Sequence, residues 1–351
     1  MKVGIVLGTR PEVMKNYAIV QALREASIDF VVLHTNQHQD PLLRDVIFNR
    51  MGYEPDFIFP HVYSIGAAID WVCKLIHLYK IDLILVNGDT AASLVGALAA
   101  IYSDVELAHV EAGLRSFDNR MYEERNRIMV DSAAHYLFAY TQHQVEYLKK
   151  IPDLRGQIFN VGNTTVDLIQ DFSHALIKLR TDNYAYVTLH RKEFTENYHR
   201  MTSVFTALNA LADEFDAMIF PMHPRTWSAV KNHGLSQDLL SRITVIDPVD
   251  PLTSLSYEKF AEVIITDSGT IQEEAYIFGV PCVTVRENTE RPETIAAGAN
   301  VLTGFSPTVI CEKVSLQKRY RKQKFPPVYG EHGAGKRIVQ ILKAYFPGGY
   351  S

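Results

Sequence analysis

Short runs of apolar, β-branched residues recur along the chain, separated by longer stretches whose apolar positions follow a helical spacing. In the first half, Val3–Leu7, Phe30–His34, Leu83–Val86, Leu107–Val110 and Tyr136–Ala139 predict strands, with a further strand-like run at Ile158–Val161. Val13–Ala26, Ala67–Tyr79, Ala91–Tyr102 and Glu123–Ala133 predict helices between them. In the second half, strands are expected at Tyr186–Leu189, Met218–Phe220, Ile243–Ile246, Val263–Thr266 and Cys282–Val285. Helices are expected there at Tyr198–Phe215, Trp227–Asn232, Thr270–Phe278 and Pro292–Ala297. Strands that read as nearly unbroken apolar runs suit a parallel sheet covered on both faces. Their alternation with helices implies right-handed crossovers and an α/β, doubly wound fold.

The break between halves is expected near Asp167–Thr181, with a helix around Leu168–Leu179 leading into the second half. The basic, proline-bearing stretch Lys318–Pro327 reads as a surface connection. The last helix, Ala334–Tyr345, is free on sequence grounds to pack on either domain. The domains are therefore drawn at 1–170 and 171–333, with a terminal helix in 334–351. A length of 351 residues supports this division, since domains average about 150 residues. With 35 Lys+Arg against 40 Asp+Glu, the net charge of -5 argues against binding nucleic acid through general electrostatics. Cys73, Cys282 and Cys311 are too sparse and too widely spaced for a disulfide framework or a zinc site. They point to a reducing compartment. No apolar run approaches the roughly 18 residues of a membrane span. A cytoplasmic protein without a membrane segment is the expectation.

In open α/β sheets, ligands sit beyond the carboxyl ends of the strands. Here those ends are heavily loaded: Gly8-Thr-Arg-Pro-Glu12 with Lys15, Asn87-Gly-Asp-Thr90, and His109-Val-Glu-Ala-Gly-Leu-Arg115. The second half adds Thr188-Leu-His-Arg-Lys-Glu193, Pro221-Met-His-Pro-Arg225 and Thr266-Asp-Ser-Gly-Thr270. Two sheets with such edges facing one another make a cleft suited to a small molecule. At Asp267-Ser-Gly-Thr-Ile-Gln-Glu-Glu-Ala275, Ser268 can cap a helix, Gly269 admits close approach, and the first N–H groups are placed for an anion. Glu274 then suits a ribose diol. The plainer reading is an ordinary helix start, with Ser268 and Gln272 as a loose capping box. Arg10 and Lys15 stand near a helix N-terminus, where cations are disfavoured unless an anion binds; the plainer reading is solvated surface charge. Asp89, Glu111, Glu123 and His190 are acid–base candidates. The plainer readings are a turn for Asp89, a cap or an ion pair to Arg115 for Glu111, and an i,i+4 pair of Glu123 with Arg127. His223 beside Pro224 reads equally as structural.

Taken together, these strings resemble the non-hydrolysing UDP-N-acetylglucosamine 2-epimerases. The matching segments are GTRPE with Lys15, NGDT, HVEAGLRSFD, EERNR, VGNT, LHRKE, the His of PMHPRT, DSGTIQEEA and RENTERPE, in order from Gly8 to Glu293. The resemblance implies two Rossmann-like domains facing across a cleft, as in GT-B glycosyltransferases. It also implies a homodimer, with neither metal nor other cofactor. The implied reaction interconverts UDP-GlcNAc and UDP-ManNAc, by anti elimination of UDP to 2-acetamidoglucal and syn re-addition. Carried onto this chain, Asp89, Glu111, Glu123 and His190 form the acid–base and stabilising set. Arg10, Lys15, His190, Ser268 and Gly269 hold the diphosphate, Glu274 the ribose, and Arg127 the sugar end. His223 and Arg291 join the substrate-binding set. Gln37 and His38 match residues at which some bacterial members bind a second, activating UDP-GlcNAc.

Several positions depart from the family pattern: Tyr122 where Pro is common, Thr270 where Gly is common, a short stretch from Glu111 to Glu123, and Phe194 where the string after His190 commonly has Asn. Gln39-Asp40 departs after Gln37-His38. These changes bear on the sugar and on activation more than on the type of reaction. A 2-epimerase of a modified UDP-sugar, such as a UDP-2,3-diacetamido uronic acid, is the alternative within the family. A hydrolysing epimerase, a GT-B glycosyltransferase and a nucleotide-sugar sensor are further alternatives.

Overall fold

The structure is a computed structural model describing residues 1–37, 41–61, 63–321 and 323–346. The chain forms two compact units: one spans Met1–Asp171 and takes in the chain from Val328 onward, the other spans Phe172–Pro327. The first unit runs β1 (Lys2–Leu7), α1 (Arg10–Glu25), β2 (Asp29–His34), α2 (Pro41–Met51), β3 (Phe57–Ile58), α3 (Ile65–Tyr79), β4 (Leu83–Asn87) and α4 (Ala91–Tyr102). It continues through β5 (Glu106–Val110), α5 (Tyr122–Ala133), β6 (Tyr136–Ala139), α6 (Gln142–Leu148), β7 (Gln157–Asn160) and α7 (Thr164–Asp171). The second unit holds β8 (Tyr184–Thr188), α8 (Lys192–Thr195), α9 (Tyr198–Leu211), β9 (Ala217–Pro221), α10 (Pro224–Asn232), β10 (Thr244–Ile246) and α11 (Pro251–Phe260). After these come β11 (Val263–Thr266), α12 (Gly269–Phe278), β12 (Cys282–Thr284), α13 (Pro292–Ala296), β13 (Asn300–Leu302) and α14 (Pro307–Gln317). Helix α15 (Ala334–Tyr345) returns to the first unit.

Both sheets are parallel throughout. Their strand orders are β3-β2-β1-β4-β5-β6-β7 and β10-β9-β8-β11-β12-β13. Each begins with the 3-2-1-4-5-6 order of a Rossmann sheet, so each unit has its own switch point, β1/β4 in the first and β8/β11 in the second. Ile5, Leu85, Leu107, Val187 and Ile265 are fully buried, as strands covered on both faces require.

One local outcome differs from the sequence expectation. The helix placed at Leu168–Leu179 is instead α7, which ends at Asp171, and the chain then runs irregularly to β8. Within α7, Asp167 accepts hydrogen bonds from the N–H groups of Gly333 (2.8 Å), Ala334 (3.1 Å) and Gly335 (2.9 Å). One carboxylate thus satisfies three of the orphan donors at the start of α15 and fastens that helix to the first unit. Gly335 completes the seat, because a Cβ there would strike the backbone of Ala18 in α1.

Candidate active site

In the first unit, the β1–α1 turn is tied down by Glu12, a residue the sequence reading passed over. Its buried carboxylate accepts from the N–H groups of Gly8 (3.0 Å) and Thr9 (2.8 Å), and from the Thr90 hydroxyl (2.6 Å). Burial raises the pKa of Glu12, and these donors work against the rise. Glu12 therefore sews the GTRPE turn to the NGDT turn at the switch point. Lys15, one turn into α1, is buried and paired with Glu111.

Glu111 leaves β5 in a left-handed conformation with φ +73°, uncommon for a residue with a side chain. Its carboxylate lies over Gly88, where a Cβ would come within 3.5 Å of it, and Gly88 is itself at φ +80°. Such strain persists where surrounding contacts enforce it, and here they do. His109 is fully buried, with Nδ1 2.6 Å from Asp131 and Nε2 2.9 Å from the Gly88 carbonyl. Asp131 also pairs with Arg115 at 2.7 Å and accepts from the Gly113 N–H at 3.2 Å. Burial pushes the Asp131 carboxyl up, but His109 and Arg115 outweigh it and leave the pKa below 3.8. The ion pair of Arg115 with Glu111 weighed from sequence is therefore replaced by one with Asp131.

Asp89, next to Gly88, pairs with the buried Arg127, which also reaches Glu124 at 3.3 Å. Glu124 in turn accepts from the N–H groups of Ser116 (2.8 Å) and Phe117 (3.2 Å). Glu123 is half-buried and forms no ion pair among the described residues, so the proposed i,i+4 pair with Arg127 does not form. The geometry thus places Asp89, Glu111, Lys15 and Arg127 at one switch point. Around it, Asn87 and Thr35 bury polar side-chain atoms without hydrogen-bond partners among the described residues, an arrangement usually found where a guest or water is bound. Gln37 packs against the same β1 end, close to Gly8. His38 lies outside the described residues.

In the second unit, Asp267 at the end of β11 clamps the β8 loop by accepting the N–H groups of His190 (2.8 Å) and Arg191 (2.7 Å). His190 Nδ1 lies 3.5 Å from the same carboxylate, and its ring stacks on that of His223 at 5.4 Å. Burial lowers the His190 pKa, assisted by Arg191 and Arg225 and opposed by Asp267, so the imidazole is neutral at neutral pH. His223 caps α10, its Nδ1 accepting from the Arg225 N–H at 3.1 Å.

Ser268 is the N-cap of α12, but its side chain makes no capping hydrogen bond. The capping box weighed for Gln272 does not form; Gln272 donates to the Ser268 carbonyl at 3.1 Å. Gly269 has a packing reason to be glycine: a Cβ would come within 2.8 Å of the Arg291 guanidinium. Arg291 is itself buried on Glu273 (2.7 Å) and Glu290 (3.4 Å), so it braces the α12 start from behind. Glu274 is buried one turn further along. No group of three or more His, Cys, Asp or Glu among the described residues is arranged to hold a metal ion. No described helix is long and apolar enough to cross a membrane.

Residues 21–343 match the family model described as UDP-N-acetylglucosamine 2-epimerase. The chain is 37% identical to the UDP-N-acetylglucosamine 2-epimerase of Methanocaldococcus jannaschii, over 97% of this chain and 99% of that protein. It is 34% identical to the UDP-2,3-diacetamido-2,3-dideoxy-D-glucuronate 2-epimerase of Pseudomonas aeruginosa, over 97% and 99% of the two chains. The solved M. jannaschii UDP-GlcNAc 2-epimerase in complex with UDP-GlcNAc and UDP superposes with a TM-score of 0.89, covering 98% of this chain and all of that one.

Proposed function

Because this chain belongs to the UDP-N-acetylglucosamine 2-epimerase family, we propose that it is an isomerase interconverting UDP-GlcNAc and UDP-ManNAc. The observation that carries the chemistry is the strained Glu111, its carboxylate held over Gly88 beside Asp89 and paired with Lys15. A carboxylate takes the proton from carbon 2 of the sugar while the bond from carbon 1 to the UDP oxygen breaks, leaving 2-acetamidoglucal and UDP. Return of the proton to the opposite face, with re-addition of UDP, gives the epimer. Inversion at one carbon needs proton transfer on two faces, which is why Asp89, Glu111 and Glu123 are assigned together with His190. The neutral imidazole of His190 is able to accept a proton.

Expulsion of UDP builds charge on the diphosphate. Arg10, Lys15, His190 and the α12 start at Ser268 and Gly269 stabilise it, with Glu274 on the ribose. Arg127 supports the sugar end, while His223 and Arg291 support the site through the α10 cap and the back of Gly269. Lys15 links the two halves of the reaction. A diphosphate competes with Glu111 for its ammonium, and a Glu111 released from that pair is a stronger base. Gln37, close to Gly8, is assigned with His38 to a second nucleotide-sugar site.

The enzyme works in the cytoplasm as a homodimer, supplying a sugar for surface polysaccharide. The dimer reading is supported by apolar side chains exposed on three adjacent helices: Leu78 of α3, Ile101 and Tyr102 of α4, and Met129 of α5. The uronate substrate is a second reading, favoured by the P. aeruginosa relative; Arg191, a basic residue next to His190, lies 3.9 Å from Glu290. Incubation with UDP-GlcNAc alone in D₂O, followed by proton NMR, tests the assignment. Deuterium at carbon 2 with UDP-ManNAc appearing is expected. Free ManNAc would indicate a hydrolase, and no exchange without an acceptor would overturn the epimerase reading.

A further inference from the structure

The direction of a side chain follows from the two backbone dihedrals of its residue, which relate the peptide planes on either side. Both planes flanking Asp89 are held by side chains from elsewhere in the first unit. The Gly88 carbonyl belongs to the plane before Asp89 and lies 2.9 Å from Nε2 of His109 on β5. A carbonyl oxygen only accepts, so Nε2 carries the proton and donates it. The Asp89 carbonyl belongs to the plane after it and accepts from the Asn126 amide of α5 at 2.8 Å. The carboxylate itself is met by Arg127, the next residue of α5.

Neither contact is local: His109 is 21 positions from Gly88, and Asn126 is 37 positions from Asp89. Gly88 stands at φ +80°, and its N–H donates to the Val110 carbonyl at 3.0 Å. His109 is fixed at its other ring nitrogen, with Nδ1 2.6 Å from Asp131 of α5. Asp131 also accepts the Gly113 N–H, two residues beyond Glu111, at 3.2 Å. Helix α5 thus reaches Asp89 directly through Asn126 and Arg127, and through Asp131 and His109 it reaches the peptide before it. Asn is a weak helix former, and inside α5 the half-buried Asn126 makes this bond to Asp89.

We propose that Asn126 and His109 are positioning residues for proton transfer: they fix the two peptides around Asp89, so that its carboxylate meets carbon 2 of the sugar in a single orientation. The inference rests on the assignment of Asp89 to the acid–base set made above. Both residues act on the Asp89 backbone and leave its carboxylate in place. Their loss therefore slows the chemical step and leaves ground-state binding unchanged. A misplacement of about 1 Å at a reacting group costs up to about 10²-fold in rate, and Arg127 still holds the carboxylate when one backbone contact is gone.

The test combines steady-state turnover of UDP-GlcNAc, deuterium exchange at carbon 2 and UDP binding by calorimetry. Asn126→Ala removes one donor from a half-buried position, so the fold is kept. Its kcat and exchange rate are expected to fall about 10-fold, with KM and UDP affinity within about 2-fold of the wild type. An unchanged kcat, or a loss confined to KM, would overturn the proposal. Because the residue acts through Asp89, adding Asn126→Ala to Asp89→Asn is expected to cost nothing further. An equal loss in both backgrounds would mark a general disturbance of the site and refute the positioning role. At His109, conservative variants separate the two ring contacts: the amide of Gln reaches as far as Nε2, that of Asn only as far as Nδ1. His109→Gln is expected to keep more turnover than His109→Asn, and the reverse order counts against the proposal. Should both His109 variants fold poorly, the Asn126 measurements decide. Full turnover in Asp89→Asn is a separate failure: it removes Asp89 from proton transfer, and the positioning role with it, whatever Asn126→Ala does.

Discussion

Charge is held differently at the two switch points, although the strand order leading to them is the same. In the first unit the carboxylates near the switch point have a cation or a set of donors: Lys15 for Glu111, Arg127 for Asp89, Arg115 and His109 for Asp131, and five oxygen and nitrogen donors for Glu12. In the second unit, cations and carboxylates are paired behind the α12 start, as Arg291–Glu273 and Arg286–Glu290. Elsewhere in that unit Glu258 of α11 is buried with the Ser254 hydroxyl as its donor at 2.7 Å, and burial raises its pKa to about 7. A cation-paired carboxylate stays charged and is available for proton transfer. A buried carboxyl held by a neutral hydroxyl keeps its proton more tightly. One strand order thus leaves a buried acid charged in one unit and inclined to keep its proton in the other, according to which residue stands opposite it.

The comparison breaks most visibly at Asp131. Asp131→Ala leaves the buried His109 and Arg115 without their anion, and removing one partner of such a group costs about 3–5 kcal/mol. Glu258→Leu strands no cation, and replacing buried charge by apolar volume is often neutral. Its effect at pH 8 is expected to stay within about 1 kcal/mol. Urea unfolding monitored at equilibrium measures both. Equal losses in the two variants would show that the units hold charge in the same way.

Activity tests the acids and the imidazole one by one. Asp89→Asn, Glu111→Gln and His190→Ala are each expected to cut turnover by at least ~10²-fold, the scale of an acid–base group. Deuterium exchange at carbon 2 separates loss of proton transfer from loss of binding. Near-full exchange in Glu111→Gln would remove that residue from the catalytic set. Gly269→Ala should instead raise KM, since its methyl meets the Arg291 guanidinium and displaces the α12 start. An unchanged KM would show that this turn tolerates displacement.

How far such features are legible in sequence depends on whether they are local. Strands such as Val263–Thr266 announce themselves by unbroken apolar runs, and the structure places β11 at those residues. Helices α11 and α14 were overlooked, although each opens with a capping residue and proline, Asp250-Pro251 and Ser306-Pro307. The two-residue β3 is too short to leave a period. The strand-end motifs exposed Asp89, Glu111 and Ser268 because their local patterns are distinctive. Asp131, Asp167, Glu12 and Glu258 were missed because what matters about each is a partner: His109 lies 22 positions from Asp131, and the α15 amides lie 166 to 168 from Asp167. A carboxylate in a helix reads as surface until its burial is known. The expected helix Leu168–Leu179 is α7, Thr164–Asp171, which begins earlier and ends at Asp171.

The smallest effect is also the one that sets the two units against each other within a single measurement. Asp131 has a folded-state pKa below 3.8, so the unfolded chain binds its proton more readily. Its contribution is present above pH 3.8 and is lost as the pH falls through the folded value. Glu258 is shifted the other way, from 4.5 to about 7, so the folded state binds the proton more readily. Its contribution is present below pH 4.5 and is lost as the pH rises towards 7, beyond which the slope ends. The first unit therefore loosens towards acid and the second towards neutrality. Thermal unfolding of the wild type and Glu258→Gln at stepped pH reads the second slope, because Gln cannot titrate. The Tm of Glu258→Gln relative to wild type should rise between pH 4.5 and 7 and then level off, at about 2–4 °C for each ~1 kcal/mol in a unit of this size. Asp131→Asn should show the complementary behaviour, its deficit shrinking only as the pH drops below about 4. Parallel Tm curves for wild type and Glu258→Gln would mean that Glu258 gains no proton on folding, and the contrast between the two switch points would then lie in geometry alone.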